Sequence, residues 1–224
     1  MLEYFNRQVQ LWGEDTQLSL QGKHIVIIGC GGLGCSLAIA LGASGIGKIT
    51  LVDFDEVGVH NIHRQIAFTI QDEGKKKSFV LGELLKQRCP YVEIESIDGS
   101  FDDFKNLNIN NIDLILDATD NLPVRAQIDA YAKVKQIPWI YGSVEEFHGQ
   151  VCFFDKASFA SSFQVIDRKP GGIAAPIVMN IASIQANLAI KYLTNVAVKK
   201  DMLYYYFIDK AGEINLQKFM LPHS

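Results

Sequence analysis

Residues 24–55, HIVIIGCGGLGCSLAIALGASGIGKITLVDFD, decide how the chain folds. Ile25-Val26-Ile27-Ile28 is a short, β-branched, continuously apolar run, the pattern of a parallel strand buried on both faces. Gly29, Gly31 and Gly34 follow in G-x-G-x-x-G spacing, with Gly32 between them. The first glycine permits a tight turn, the second lets backbone approach a phosphate, and the third lets helix and strand pack closely. Leu33 to Ala43 reads as a helix whose N-terminal amides face an anion. Leu51-Val52-Asp53 closes the unit as a second strand. Asp53 lies 19 residues after Gly34, where a carboxylate can accept hydrogen bonds from ribose hydroxyls. The unit points to a nucleotide and leaves NAD, FAD and ATP open. It predicts an α/β fold with a Rossmann-like, doubly wound, mostly parallel sheet.

At 224 residues the chain has room for one α/β domain with a large core, so the expectation is a single domain over 1–224. Hydrophobic residues make up 48% and charged residues 21%, a balance ordinary for a soluble globular protein. The net charge of −4 argues against a nucleic-acid binder, which carries a basic surplus. No apolar run reaches the ~18 residues of a membrane span. The start, MLEYFNRQVQLWGED, lacks a basic-then-apolar leader, and the expected location is cytoplasmic. Cys30, Cys35, Cys89 and Cys152 form no C-x-x-C pairs, so no zinc is expected and the four read as free thiols.

Along the chain, residues 1–22 read as an amphipathic helical arm in which Arg7 is a solvated residue. Asn61, His63, Arg64 and Gln65 follow Asp55, just past the carboxyl end of the second strand, where open α/β sheets bind ligands. His60 and His63 have no acid or cysteine completing a metal set and read as surface residues; Arg64 suits a phosphate. Lys75-Lys76-Lys77 reads as a solvated helix start, and Ser78 to Arg88 as a helix ended by Pro90. Val92 to Ile97 alternates as a strand, and Asp113 to Asp117 is a buried one ending in Ala118-Thr119-Asp120-Asn121. Asp120 either holds Mg²⁺ beside phosphates or caps the helix Leu122 to Lys135. Pro138–Gly142 and Gln150–Phe154 read as strands joined by a turn at His148-Gly149, and 155–175 as a long loop. Pro176 to Leu193 reads as a buried helix suited to a dimer interface. Met202–Ile208 and Ile214–Phe219 form a closing antiparallel hairpin around Lys210-Ala211-Gly212.

Taken in order, these pieces resemble the ThiF/MoeB/HesA family, prokaryotic relatives of ubiquitin-activating enzymes, and ThiF most in kind. The resemblance rests on YFNRQVQLW at 4–12, GCGGLG at 29–34, GIGKITLVDFD at 45–55, NIHRQ at 61–65, Lys77 and DATDN at 117–121. It implies ATP rather than NAD or FAD, with 155–175 as the crossover loop. It further implies adenylation of the C-terminal carboxylate of a ubiquitin-like sulfur carrier of ThiS or MoaD type ending in Gly-Gly, in thiamine or a related sulfur pathway.

By the same resemblance, Gly29, Gly31, Gly32 and Gly34 cradle the nucleotide. Asp53 holds its ribose, Asp55 and Gln65 also bind the nucleotide, and Asn61, Arg64 and Lys77 contact the triphosphate. Asp120 binds Mg²⁺ and orients the attacking carboxylate, and Arg7 reaches into the second subunit of a homodimer. The carboxylate and the α-phosphate are both anions. Arg64, Lys77, Arg7 and Mg²⁺ would offset their repulsion. No general base is required, because a carboxylic acid is already ionised near neutral pH. The chain departs from many relatives in lacking the zinc C-x-x-C pairs and any cysteine within 155–175. Cys152 reads as a core thiol rather than a nucleophile. Two alternatives stay open: adenylation of a small-molecule or other non-carrier carboxylate, and a non-catalytic partner subunit.

Overall fold

The computed structural model describes residues 1–163 and 171–223. Its centre is an eight-stranded sheet. In chain order the strands are β1 (His24–Ile28), β2 (Lys48–Val52), β3 (Glu93–Ile97), β4 (Leu114–Asp117), β5 (Trp139–Glu145), β6 (His148–Phe154), β7 (Met202–Ile208) and β8 (Ile214–Met220). Across the sheet they run β3-β2-β1-β4-β5-β6-β7-β8. β1 to β5 pair in parallel, and β5 to β8 pair antiparallel. The expected Rossmann-like sheet is therefore present, with its antiparallel extension at the C-terminal side.

The helices are α1 (Asn6–Trp12), α2 (Glu14–Ser19), α3 (Gly32–Gly42), α4 (Val59–Ile62), α5 (Lys77–Arg88), α6 (Phe101–Asn106), α7 (Leu122–Lys135), α8 (Phe159–Ser162) and α9 (Ala175–Leu193). Alternate strand residues sort them onto two faces. Ile25 and Ile27 of β1 pack with Leu37 and Leu41 of α3, Leu81 and Leu85 of α5, and Ile181 and Ala182 of α9. Val26 and Ile28 pack on the opposite face with Phe104 of α6, Ile128 of α7 and Phe159 of α8. Every residue of β1 and of β4 is buried, as their unbroken apolar runs require. Among the described residues no helix is long and apolar enough to cross a membrane.

β1 lies between β2 and β4 although β2 and β3 intervene in sequence. The chain thus winds outward from β1 in one direction, then returns to the other side. That reversal opens a crevice at the carboxyl ends of β1 and β4, the ligand position of open α/β sheets.

Two local expectations are corrected. The β5–β6 connection is Glu146-Phe147, with Glu146 at φ +50°, not His148-Gly149. Gly149 lies within β6, where a Cβ would collide with Ile181, so this glycine serves close packing of α9 rather than a turn. The 155–175 stretch contains α8 rather than being loop throughout, and its residues 164–170 lie outside the described ones.

Candidate active site

The crevice is a cleft of about 1430 Å³ whose floor is built from the turns after β1, β2 and β4. Gly29 sits at φ +96°, a conformation that suits glycine, and a Cβ there would stand 2.7 Å from the Ala118 carbonyl oxygen. The backbone N–H of Ala118 donates to the Ile28 carbonyl at 2.8 Å, which holds the β1 and β4 turns against each other. A Cβ at Gly34 would overlap the Gly29 carbonyl, so only glycine lets α3 start this close to the turn. α3 has Gly31 as N-cap and no side chain capping it, and Gly31, Gly32 and Leu33 line the cleft. Its first amides are available to an anion.

Asp53 follows β2 and is buried at 9% exposure. Each carboxylate oxygen already accepts one backbone N–H, Oδ2 from Cys30 at 2.6 Å and Oδ1 from Asp55 at 2.7 Å. Each keeps a further lone pair for a hydroxyl donor. Burial pushes the Asp53 carboxyl up, against those two N–H groups and the Lys77 charge.

Lys77 opens α5 and is itself buried, with its ammonium 2.8 Å from Asp55 Oδ2. It differs sharply from Lys75 and Lys76, which pair with Asp72 and with Glu56 and Asp98 at more exposed positions. The reading of 75–77 as a uniformly solvated run fails at Lys77. Arg64 lines the cleft, and its Nη2 donates to Asn61 Oδ1 at 3.2 Å. Asn61 lies outside the lining and acts on the cleft through that bond. Gln65 is buried on the cleft wall, and its Oε1 has no hydrogen-bond partner among the described residues. Asp120 lines the cleft, is exposed, and makes no hydrogen bond or ion pair among the described residues. The cap of α7 is Asn121, whose Oδ1 accepts from Val124 N at 3.1 Å, so the capping alternative for Asp120 is corrected.

Arg7 stands apart. It is exposed on α1, donates among the described residues to Gln10 at 3.3 Å, and is not in the lining. His60 and His63 are exposed, and among the described residues no three His, Cys, Asp or Glu side chains gather as a metal site. All four cysteines are buried. Burial raises Cys35 to about 12 and pushes Cys30 and Cys152 well up, which denies them thiolate character at neutral pH.

Sequence reasoning missed Arg125. It is 4% exposed, lines the cleft and bonds to Asp117, Thr119 and Gly142. An arginine one turn into a helix, eight residues after a buried strand's terminal Asp117, is the signal that could have found it. Beyond it, the cleft extends past Tyr141 and Ser143 to His148, Gln150 and Tyr205.

The cleft thus joins a glycine turn, a helix N-terminus, the buried carboxylate of Asp53, the three cations Arg64, Lys77 and Arg125, and the carboxylate of Asp120, which is unpaired among the described residues. A model of the ThiF family matches residues 5–222. The molybdopterin-synthase adenylyltransferase of Haemophilus influenzae is 30% identical, over 97% of this chain and 94% of that protein. The enzyme of the same description from Escherichia coli is 33% identical, over 86% and 82%. The sulfur carrier protein adenylyltransferase of Thermus thermophilus is 33% identical, over 68% and 58%. The crystal structure of E. coli MccB with ATP superposes with a TM-score of 0.84 at 22% identity, covering 97% of this chain and 69% of that one, a likeness of fold.

Proposed function

The chain belongs to the ThiF family and is an adenylyltransferase, and from that premise we propose that it adenylates the C-terminal carboxylate of a ubiquitin-like sulfur carrier, with ATP as substrate and pyrophosphate as leaving group. One observation carries the reading: the cleft is lined at once by the buried ammonium of Lys77, the guanidinium of Arg64 and the carboxylate of Asp120, which has no partner among the described residues.

In this reading Asp53 accepts the ribose hydroxyls with the lone pairs its two backbone donors leave free. The amides that open α3 meet the phosphates, and Gly31 and Gly32 allow backbone approach. Gln65 offers its unpartnered Oε1 to a hydroxyl or water of the ligand. Lys77 and Arg64 withdraw charge from the triphosphate, and Asn61 aims Arg64. The carrier's carboxylate oxygen bonds to the α-phosphorus as the bond to pyrophosphate breaks, and the two cations stabilise the charge that builds on the phosphoryl oxygens. Mg²⁺ fits Asp120, because that ion takes one or two carboxylates and fills its shell with phosphate oxygens and water; it would neutralise phosphate charge there.

Arg7, exposed and without a role in its own cleft, suits a homodimer in which it completes the partner's site. The acyl-adenylate then passes to an external sulfur nucleophile, since the chain's own thiols are buried. The test is pyrophosphate exchange into ATP that depends on a Gly-Gly-ending carrier.

A further inference from the structure

Asp120 is the one acidic group proposed to act on the reacting centre, yet among the described residues its side chain makes no hydrogen bond or ion pair. Its direction is therefore set by the backbone of the turn 118–121. That turn is fastened from below by a single buried cation.

We infer that Arg125 is the positioning residue of the adenylation site, a clamp that sets the Asp120 turn against β5. This inference rests on the proposed role of Asp120. Arg125 Nε donates to Asp117 Oδ2 at 3.1 Å, at the end of β4. Its Nη2 donates both to the Thr119 carbonyl, the residue before Asp120, and to the Gly142 carbonyl of β5 at 3.2 Å. The guanidinium carbon lies 5.1 Å from the centre of the Tyr141 ring. One planar group thus ties three segments of the cleft floor.

The anchor beneath it is rigid. Asp117 is fully buried and accepts from Thr119 N at 2.9 Å and Thr119 Oγ1 at 2.7 Å. Its own carbonyl accepts from Gln185 Nε2 of α9 at 2.9 Å. On the far side of Asp120, Asn121 is fixed as the cap of α7. Asp120 therefore projects from a turn pinned on both flanks. A lysine at 125 retains a charge for Asp117 but presents no fork that reaches a carboxylate and two carbonyls together. A displacement of about 1 Å at a reacting centre costs about 10²-fold in rate, which sets the size of the expected effect.

The experiment compares Arg125→Lys with the wild-type protein in carrier-dependent pyrophosphate exchange and measures ATP affinity by calorimetry. The expected result is a fall in kcat of tenfold or more, with the Kd for ATP within threefold. The split is expected because Asp53, Lys77 and the glycine turn do not touch Arg125. A kcat within twofold of wild type in the folded variant would overturn the inference, as would equal losses in kcat and ATP affinity. Should Arg125→Lys not fold, the pair Asp117→Asn with Arg125→Gln removes both buried charges and is read by the same two measurements. Asp120→Ala is run alongside. If it keeps full exchange, the underlying role of Asp120 fails; if it loses exchange while the Arg125 variants keep it, only the clamp fails.

Discussion

Lys77 Nζ lies 2.8 Å from Asp55 Oδ2, with the lysine side chain 6% exposed and the aspartate 51%. The pair is one-sided: the cation is buried and its partner faces solvent across the cleft. In the proposed reaction a triphosphate entering the cleft would compete with Asp55 for this buried ammonium. Lys77→Met keeps the stem's bulk and removes the charge, and kcat/KM for exchange should drop on the order of 10²-fold, as when one transition-state donor is lost. Asp55→Asn leaves Lys77 in place with a neutral acceptor and should cost less than about tenfold. Steady-state exchange with both variants checks the order; a larger loss at Asp55 would make the aspartate, not the lysine, the essential partner of the pair.

Gly34→Ala should weaken ATP binding by more than about tenfold while lowering the melting temperature by several degrees. A Cβ at 34 overlaps the Gly29 carbonyl, and backbone cannot yield as a flexible side chain does. The start of α3 must move off the turn, taking its amides from the phosphate position. Calorimetric titration with ATP measures it, and undiminished affinity would show that the turn does not carry the nucleotide.

Arg7 and Asp120 sit in different places within one chain, the first exposed on α1 and the second in the cleft. Arg7→Ala and Asp120→Ala proteins should each lose exchange alone. Mixed in equal amounts, they should regain about a quarter of wild-type activity, if subunits pair at random and each site takes Arg7 from its partner. Absence of any recovery in a mixture shown to exchange subunits would place the action of Arg7 within its own chain.

His24 gives the fold a pH dependence remote from the cleft. It is buried at the start of β1, with Nε2 2.8 Å from Thr50 Oγ1. Burial lowers its pKa below 6.5, and the Lys48 charge acts the same way, against Glu95, the Asn111 backbone and Asp113. The unfolded chain therefore binds the proton more readily than the folded one. The stabilising contribution is complete above about pH 6.5 and is lost as pH falls through the lower folded value. Melting temperature should decline from pH 6.5 downwards, and the decline should be shallower in His24→Gln. Equal slopes would remove His24 as the cause.

Most of the sheet was legible because β1 and β4 are short apolar runs buried on both faces, and α7 runs from Leu122 to Lys135, the bounds read from the sequence, although its cap is Asn121 rather than Asp120. The glycine turn was legible because spacing alone carries its geometry. What the pattern hid were contacts between segments distant in sequence. Gly149 looks like a turn glycine until Ile181 of α9 is packed on it. Lys77 reads as one of three solvated lysines until the β2 loop supplies Asp55 22 residues upstream. Arg125 carries no motif in its immediate sequence; its meaning lies in carbonyls of the β4 turn and of β5, 6 and 17 residues away.

The central claim is that the cleft joins ATP to a protein's C-terminal carboxylate. Its most direct test is exchange of labelled pyrophosphate into ATP by the purified protein with a sulfur carrier ending in Gly-Gly, with the same carrier shortened by those two residues, and with small carboxylic acids. Exchange is expected with the intact carrier, none with the shortened one, and none with the small acids. Exchange that proceeds equally without the carrier's last two residues, or that responds only to a small acid, would contradict that claim.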